Sequence, residues 1–111
     1  MKDFAELKEL VNVWGKDKGI FDKSFPLAQL SKTQEELDET KLALTDLDQA
    51  GIISETAMDE VVDGIGDMLV TIIILSEMLG LEPETCLSVA YDEIKGRKGK
   101  MIDGMFVKDK A

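Results

Sequence analysis

Histidine is missing from the 111 residues, and cysteine occurs once, at Cys86. Without an imidazole there is no Ser-His-Asp triad, no Cys-His pair and no His-ligated metal. One thiol closes no disulfide within the chain and builds no thiolate zinc cluster. Cys86 reads as a small core residue. Long apolar runs are missing too. The longest, residues 68–75, is eight residues with Thr71 inside, and stretching it to 65–81 takes in Asp67 and Glu77. A membrane span needs about 20 apolar residues, so no contact with a membrane is expected. The opening MKDFAELKEL has acids where a secretory signal has its apolar core. The expected location is the cytoplasm.

What is abundant is acid. Asp and Glu number 23 against 13 Lys and Arg, a net charge of −10. Residues 1–50 hold 11 acids and 7 bases, residues 51–94 hold 10 acids and no base, and residues 95–111 hold 6 bases and 2 acids. Such a balance speaks against nucleic acid as a partner, since a basic surface supplies most of that affinity. It suits a cation in the acidic middle and an anion at the basic tail. The length and the 44% apolar content fit a single domain over 1–111.

Helical spacing dominates. Phe4, Leu7, Leu10, Val11 and Trp14 predict a helix over 3–14, capped by Asp3 and stopped by Gly15. Residues 15–25 read as a loop, and Pro26 suits a first helical turn. A second helix over 26–49 has an apolar stripe of Leu27, Leu30, Leu37, Leu44 and Leu47, closed by Gly51 as a left-handed cap. A third, over 55–79, is capped by Ser54 or Thr56 and stopped by Gly80. Its face is Met58, Val62, Ile65, Leu69, Ile72 and Leu79. From Met68 on it is apolar nearly all round, which predicts burial on several sides and an interface between subunits. A fourth, over 83–96, opens on Pro83 with an inner face of Cys86, Leu87, Ala90, Tyr91 and Ile94. In the tail, Asp103-Gly104 between apolar pairs is a hairpin signal. A lone hairpin is marginal, so it is expected to pack on the body or on a partner subunit. The expected class is all-α, four-helix-bundle-like, with a short irregular or hairpin tail.

The chemistry falls on the second and third helices. Residues three or four apart share a helix face, so Glu36 and Glu39 point together, as do Glu60, Asp63 and Asp67. If the two helices form an antiparallel hairpin turning near Gly51-Ile52, Glu36 falls level with Asp67 and Glu39 with Asp63. Glu60 falls about one turn away. Carboxylates gathered in one groove repel strongly at low dielectric. Either some are protonated or a cation neutralises them. All-oxygen ligands select a hard cation such as Mg²⁺, Mn²⁺ or Ca²⁺. Gly64 and Gly66, each costing about 1 kcal/mol in a helix against Ala, are explained if another backbone approaches closely. An EF-hand start at Asp46-Leu47-Asp48 fails, because Ala50 and Ala57 stand where oxygen ligands are required.

These residues resemble the MazG-like nucleotide pyrophosphohydrolases of the all-α NTP pyrophosphatase superfamily, closest to the small, single-domain, phage-type members. Glu36-Leu37-Asp38-Glu39 matches the family's ExxE. Glu60-Val61-Val62-Asp63 matches its ExxD, and Gly66-Asp67-Met68-Leu69 its GD segment. Trp14, Phe25-Pro26, Gln29-Leu30 and the stretch from Tyr91 to Met101 also fit. The likeness spans roughly residues 10–107. One place departs: where many members carry Glu three residues before the GD aspartate, this chain has Gly64, and Asp63 stands one residue earlier. The helix ligand is thereby left open between Glu60 and Asp63. The resemblance implies Mg²⁺-dependent cleavage, with Mn²⁺ a substitute, of a nucleoside triphosphate to the monophosphate and pyrophosphate. Glu36, Glu39, Asp63 and Asp67 would hold metal. Glu35 or Glu60 would orient or deprotonate the attacking water. Lys95, Arg97 and Lys98 would neutralise phosphate charge. It also implies a homodimer or homotetramer with sites completed across subunits. Two other classes compete: an acidic helical partner-binding protein without catalysis, and a degenerate relative that binds nucleotides without cleaving them.

Overall fold

The computed structural model describes residues 1–45 and 51–110. It is mostly helical, with five helices and a C-terminal two-stranded hairpin among the described residues. In order these are α1 (Phe4–Asp17), α2 (Ile20–Lys23), α3 (Pro26–Leu44), α4 (Glu55–Met78), α5 (Pro83–Ile94), β1 (Gly99–Ile102) and β2 (Met105–Lys108). They divide into two compact units, Met1–Leu81 and Glu82–Ala111. No single described helix is long and apolar enough to cross a membrane.

Local chemistry sets the helix starts of the first unit. The Asp3 carboxylate accepts from the Glu6 amide at 2.9 Å, and the Ser54 hydroxyl from the Ala57 amide at 3.1 Å. Each satisfies a donor that the first helical turn leaves open. Pro26 opens α3. The expected stop at Gly15 is wrong. Gly15 lies inside α1 and is buried, while Gly19, at φ 76°, makes the left-handed turn after the helix. A Cβ on Gly15 would stand 2.6 Å from Ile74 Cδ1 and 3.0 Å from the Phe21 ring. Glycine there lets α1 close on α4. The expected loop also contains the short α2. The α3 helix ends at Leu44; the expected continuation over 46–49, with Leu47, lies outside the described residues, as do Asp46, Asp48 and Ala50 of the rejected calcium loop. Gly51 is left-handed, at φ 78°, but it does not cap α3, whose C-cap is Thr45; Gly80, the expected stop of α4, is left-handed at 68°.

The α3–α4 pair is antiparallel. Thr33 Oγ1 and Thr71 Oγ1 are hydrogen-bonded at 2.7 Å. One heptad further, Thr40 presses on Gly64, with its Cβ 3.1 Å from where a Gly64 Cβ would stand and its Oγ1 closer still. Both contacts give one register, with Glu36 opposite Met68, one residue from the expected Asp67.

The buried residues of the pair are mostly small or polar, with Val61, Ile73 and Ile74 as the large apolar ones. Glu36, Thr40 and Ala43 are buried on α3, and Ala57, Val61, Gly64, Thr71, Ile73, Ile74 and Ser76 on α4. The buried hydroxyls are satisfied by the preceding helical turn: Thr40 donates to Glu36 O, Thr71 to Met68 O and Ser76 to Ile72 O, at 2.7–2.8 Å.

The apolar stripes read on α3 and α4 are not what the pair buries. Leu27, Leu30, Leu37 and Leu44 are instead exposed, as are Met58, Val62, Ile65, Leu69, Ile72 and Leu79. On α4 each of the first five follows a seam residue by one position, as Leu37 and Leu44 do on α3. One step turns about 100°. In antiparallel helices those steps turn to the same side, so the two stripes form one apolar side of the pair. The reason is steric: Thr40 against Gly64 allows an approach that two rows of large side chains would not. The expected helix-1 face is also mostly open, with Phe4, Leu7, Leu10 and Trp14 exposed.

The second unit holds α5 and the hairpin. Pro83 opens α5 as expected. Asp103 and Gly104 take φ 50° and 79°, the two positive angles of a tight hairpin turn. Met101 pairs with Phe106 and Ile102 with Met105. A Cβ on Gly99 would meet Phe106 Cζ at 2.7 Å, so the aromatic ring fills the space the glycine leaves. The expected inner face of α5 is not buried. Leu87, Tyr91 and Ile94 are exposed, and so is Cys86, which is not a core residue. One 12-residue helix and one two-stranded ribbon are too little to close a core of their own.

Candidate functional site

The acids sit on the side of the α3–α4 pair away from the apolar stripes. Asp63 and Asp67 precede the seam residues Gly64 and Met68 by one position, and Glu60 precedes Val61, so all three turn to that side. From α3, Glu36 leans into the seam, with Glu35 and Glu39 flanking it.

Glu36 is the exceptional residue. Its side chain is only 10% exposed. Burial, first, holds its carboxyl above the ordinary glutamate range, since a charge is poorly solvated there. The negative charges of Glu39 and Asp67 push it further up, and so does a hydrogen bond with Glu39. The opposing influence is Lys32, whose Nζ lies 3.8 Å from Glu36 Oε1 and 3.7 Å from Glu35 Oε2. Glu36, Glu39 and Asp67 therefore form one electrostatic group across the two helices.

Of the expected site residues, those three are brought together. Glu35 is drawn in through Lys32. Asp63 and Glu60 are exposed on α4, on the same side, and do not count among the charges acting on Glu36. Asp38 is turned elsewhere and accepts from Gln34 Nε2 at 3.0 Å. Lys95, Arg97 and Lys98 belong to the second unit, where all three are exposed and Lys95 pairs with Asp92 at 3.1 Å. Lys32 was missed by the sequence reading. The signal was there in its spacing, three and four residues before Glu35 and Glu36.

Among the described residues no three Asp, Glu or Cys side chains converge into a ready-made metal cage. A hard cation does not need one. Mg²⁺ is bound through one or two carboxylates and keeps waters or phosphate oxygens in its other positions. A buried carboxylate beside two others, all oxygen donors with one lysine as counter-charge, fits such an ion.

The two glycines of this stretch separate in role. Gly64 is a close-approach position, though what approaches is the Thr40 side chain and not a backbone. Gly66 is exposed and a Cβ there would meet nothing within 4 Å, so close approach does not explain it. Comparison of the chain with protein families, with curated proteins and with solved structures gives no match.

Proposed function

We propose that this chain is a Mg²⁺-dependent nucleoside triphosphate pyrophosphohydrolase of the MazG-like kind, with Mn²⁺ as a substitute metal, acting in the cytoplasm. The observation that carries the proposal is Glu36: a glutamate buried in a helix seam, crowded by Glu39 and Asp67 and only partly neutralised. Such crowding is costly in a resting protein and is relieved by a dication.

Glu36 with Glu39 or Asp67 would hold the metal, waters or phosphate oxygens filling its other positions, and Asp63 one turn along α4 would be a further carboxylate on that side. A dication held there would supply positive charge against the phosphates. Glu35 or Glu60 would accept the proton of the attacking water as its oxygen bonds to phosphorus. The bond to the bridging oxygen between the α and β phosphorus atoms would break, leaving monophosphate and pyrophosphate. Lys95, Arg97 and Lys98 are exposed cations of the second unit, of the kind suited to offsetting phosphate charge. Residue 64, where the resembled family often has Glu, faces Thr40 in the seam. A carboxylate there would not reach the acid-bearing side, which favours Asp63 or Glu60 in that role.

The proposed assembly is a homodimer or homotetramer. Met58, Val62, Ile65, Leu69 and Ile72 are 41–62% exposed on α4, beside Leu30, Leu37 and Leu44 of α3. A second α3–α4 pair laid on that side would complete a four-helix-bundle-like arrangement. The same apolar side also suits a non-enzymatic partner-binding protein, which is the second reading.

The test is product release from a panel of NTPs and dNTPs with Mg²⁺, Mn²⁺ or EDTA. Pyrophosphate is scored against orthophosphate, and Glu39→Gln serves as control. The expected result is metal-dependent pyrophosphate, reduced at least about 100-fold in the variant. Orthophosphate alone would mean that another bond is cut. No turnover by folded protein would favour the partner-binding reading.

A further inference from the structure

Every described residue from 84 to 110 is exposed, so within the chain neither α5 nor the hairpin covers the other. On α5 the apolar arc is Cys86, Leu87, Ala90, Tyr91 and Ile94. At 100° per residue, Glu84 falls at one edge of that arc and Glu93 at the other. Asp92 is the remaining charge of this helix, which carries no base. The hairpin has the opposite balance, since residues 95–111 hold 6 bases against 2 acids. Side chains alternate along a strand, so Lys100, Ile102, Met105 and Val107 share one face of the ribbon. The Asp109 amide donates to the Lys98 carbonyl at 2.8 Å, which continues the register and adds Lys98 and Asp109 to that face. On the other face Phe106 lies over Gly99; the lysine-bearing face stays open, with Met105 70% exposed. We propose that the second unit is a self-complementary docking surface for a second copy of this chain. The α5 helix of each protomer lies on the Lys98, Lys100, Ile102, Met105 and Val107 face of the other's hairpin, with its two glutamate edges beside those lysines.

Charge and area point to this occupant. An apolar helix face edged with acid is matched by an apolar surface that carries base, and residues 95–111 are where this chain has base in excess. The sizes agree: 12 helical residues span about 18 Å and a four-residue strand about 13 Å. A two-fold pairing makes the same contact twice, so both helices and both hairpins are covered together. The chain exposes 8838 Å², against roughly 6,100 Å² for a compact monomer of its mass. The excess, roughly 2,700 Å², is well above the roughly 800 Å² that a standard interface covers on each partner. An interface on the apolar side of α3–α4 therefore leaves area for a second contact. By itself the contact of α5 with a hairpin is small and pairs weakly; added to the first, it tightens the assembly. It is independent of the metal-dependent reading.

The experiment is analytical ultracentrifugation of the full chain across micromolar concentrations at low ionic strength, without divalent cations. One variant, Lys98→Glu with Lys100→Glu, reverses the charge of the hairpin face. The other, Glu84→Lys with Glu93→Lys, reverses the edges of α5. Far-UV circular dichroism checks the fold of both. Each variant alone should raise the dissociation constant about 10-fold or more. An equimolar mixture of the two should return to within about 3-fold of wild type, because every α5 then finds a hairpin of opposite charge on the other variant. The α5 variant carries less net negative charge than wild type, so a non-specific charge effect would tighten its association where the proposed contact weakens it. The losses should shrink as salt rises. Leu37→Glu with Ile65→Glu, which acts on the other contact, should not be rescued by mixing with either variant. Wild type that stays monomeric would overturn the proposal. So would association unchanged in either variant, or a loss that mixing does not restore.

Discussion

One side of the α3–α4 pair carries Glu35, Glu39, Asp63 and Asp67, with Glu36 sunk between the helices; the other carries Leu30, Leu37, Val62, Ile65 and Leu69 in the open. The two sides share one pair of helices and one register, set by Thr33 on Thr71 and Thr40 on Gly64. They differ in what each lacks. The acid side lacks positive charge, with Lys32 as the cation acting on Glu36. The apolar side lacks a covering layer. Small and hydroxyl side chains form the α3–α4 contact, with Val61, Ile73 and Ile74 buried beside them, while the stripes of Leu30 and Leu37 and of Val62, Ile65 and Leu69 stay outside.

The comparison breaks most clearly on the apolar side. Leu37→Glu combined with Ile65→Glu should raise the dissociation constant of the assembly at least about 100-fold. Sedimentation velocity would then find monomer where wild type is associated. Wild type that is monomeric at tens of micromolar would remove the association half of the contrast.

The seam between the two sides gives the next effect. Gly64→Ala should destabilise by about 1–3 kcal/mol, because the new Cβ runs into Thr40. Thr40→Ala in the same chain should recover part of the loss. Gly66→Ala, two residues on and in open space, should stabilise by about 0.5–1 kcal/mol through helix propensity. Urea denaturation reads all of these. Equal effects at 64 and 66 would mean that the register is wrong.

The smallest effect sharpens the acid side. The folded state raises the pKa of Glu36, so it holds that proton where the unfolded chain has released it. The stability this contributes is complete below the ordinary glutamate pKa and is lost as pH climbs through the raised value. Glu36→Gln keeps a neutral group throughout. Without divalent cations it should melt about 1–3 °C above wild type at pH 7, with no advantage near pH 4. A variant less stable than wild type at pH 7 would mean that the ionised carboxylate is well paired after all. Adding Mg²⁺ should reverse the order at neutral pH, since only wild type keeps the full ligand set.

Much of the fold was legible because its signals are local. Asp3, Ser54, Pro26 and Pro83 start helices through groups within one turn of themselves. Asp103-Gly104 turns the hairpin through its own two backbone angles. Gly15 misled because the same residue type serves two purposes. A helix stop is a matter of φ, while close approach depends on Ile74 and Phe21, which arrive from elsewhere. The acids were legible as a set, because spacing alone puts Asp63 and Asp67 on one face and Glu36 with Glu39 on another. Their grouping came close, since an antiparallel turn fixes which residues lie level. Lys32 is legible in the same way, since its spacing to Glu35 and Glu36 puts it on their face of α3.

By itself, then, the sequence determined where the helices and the hairpin begin and turn, and which residues carry the charge. Capping, proline and turn chemistry act over a few residues of chain. The tertiary structure alone decided which stripe of each helix enters the seam, and so which glutamate is buried and which leucines are left outside. That choice depends on how closely two surfaces can approach. Here the fit of Thr40 over Gly64, with its hydroxyl satisfied on its own helix, outweighs the greater hydrophobicity of the neighbouring stripe.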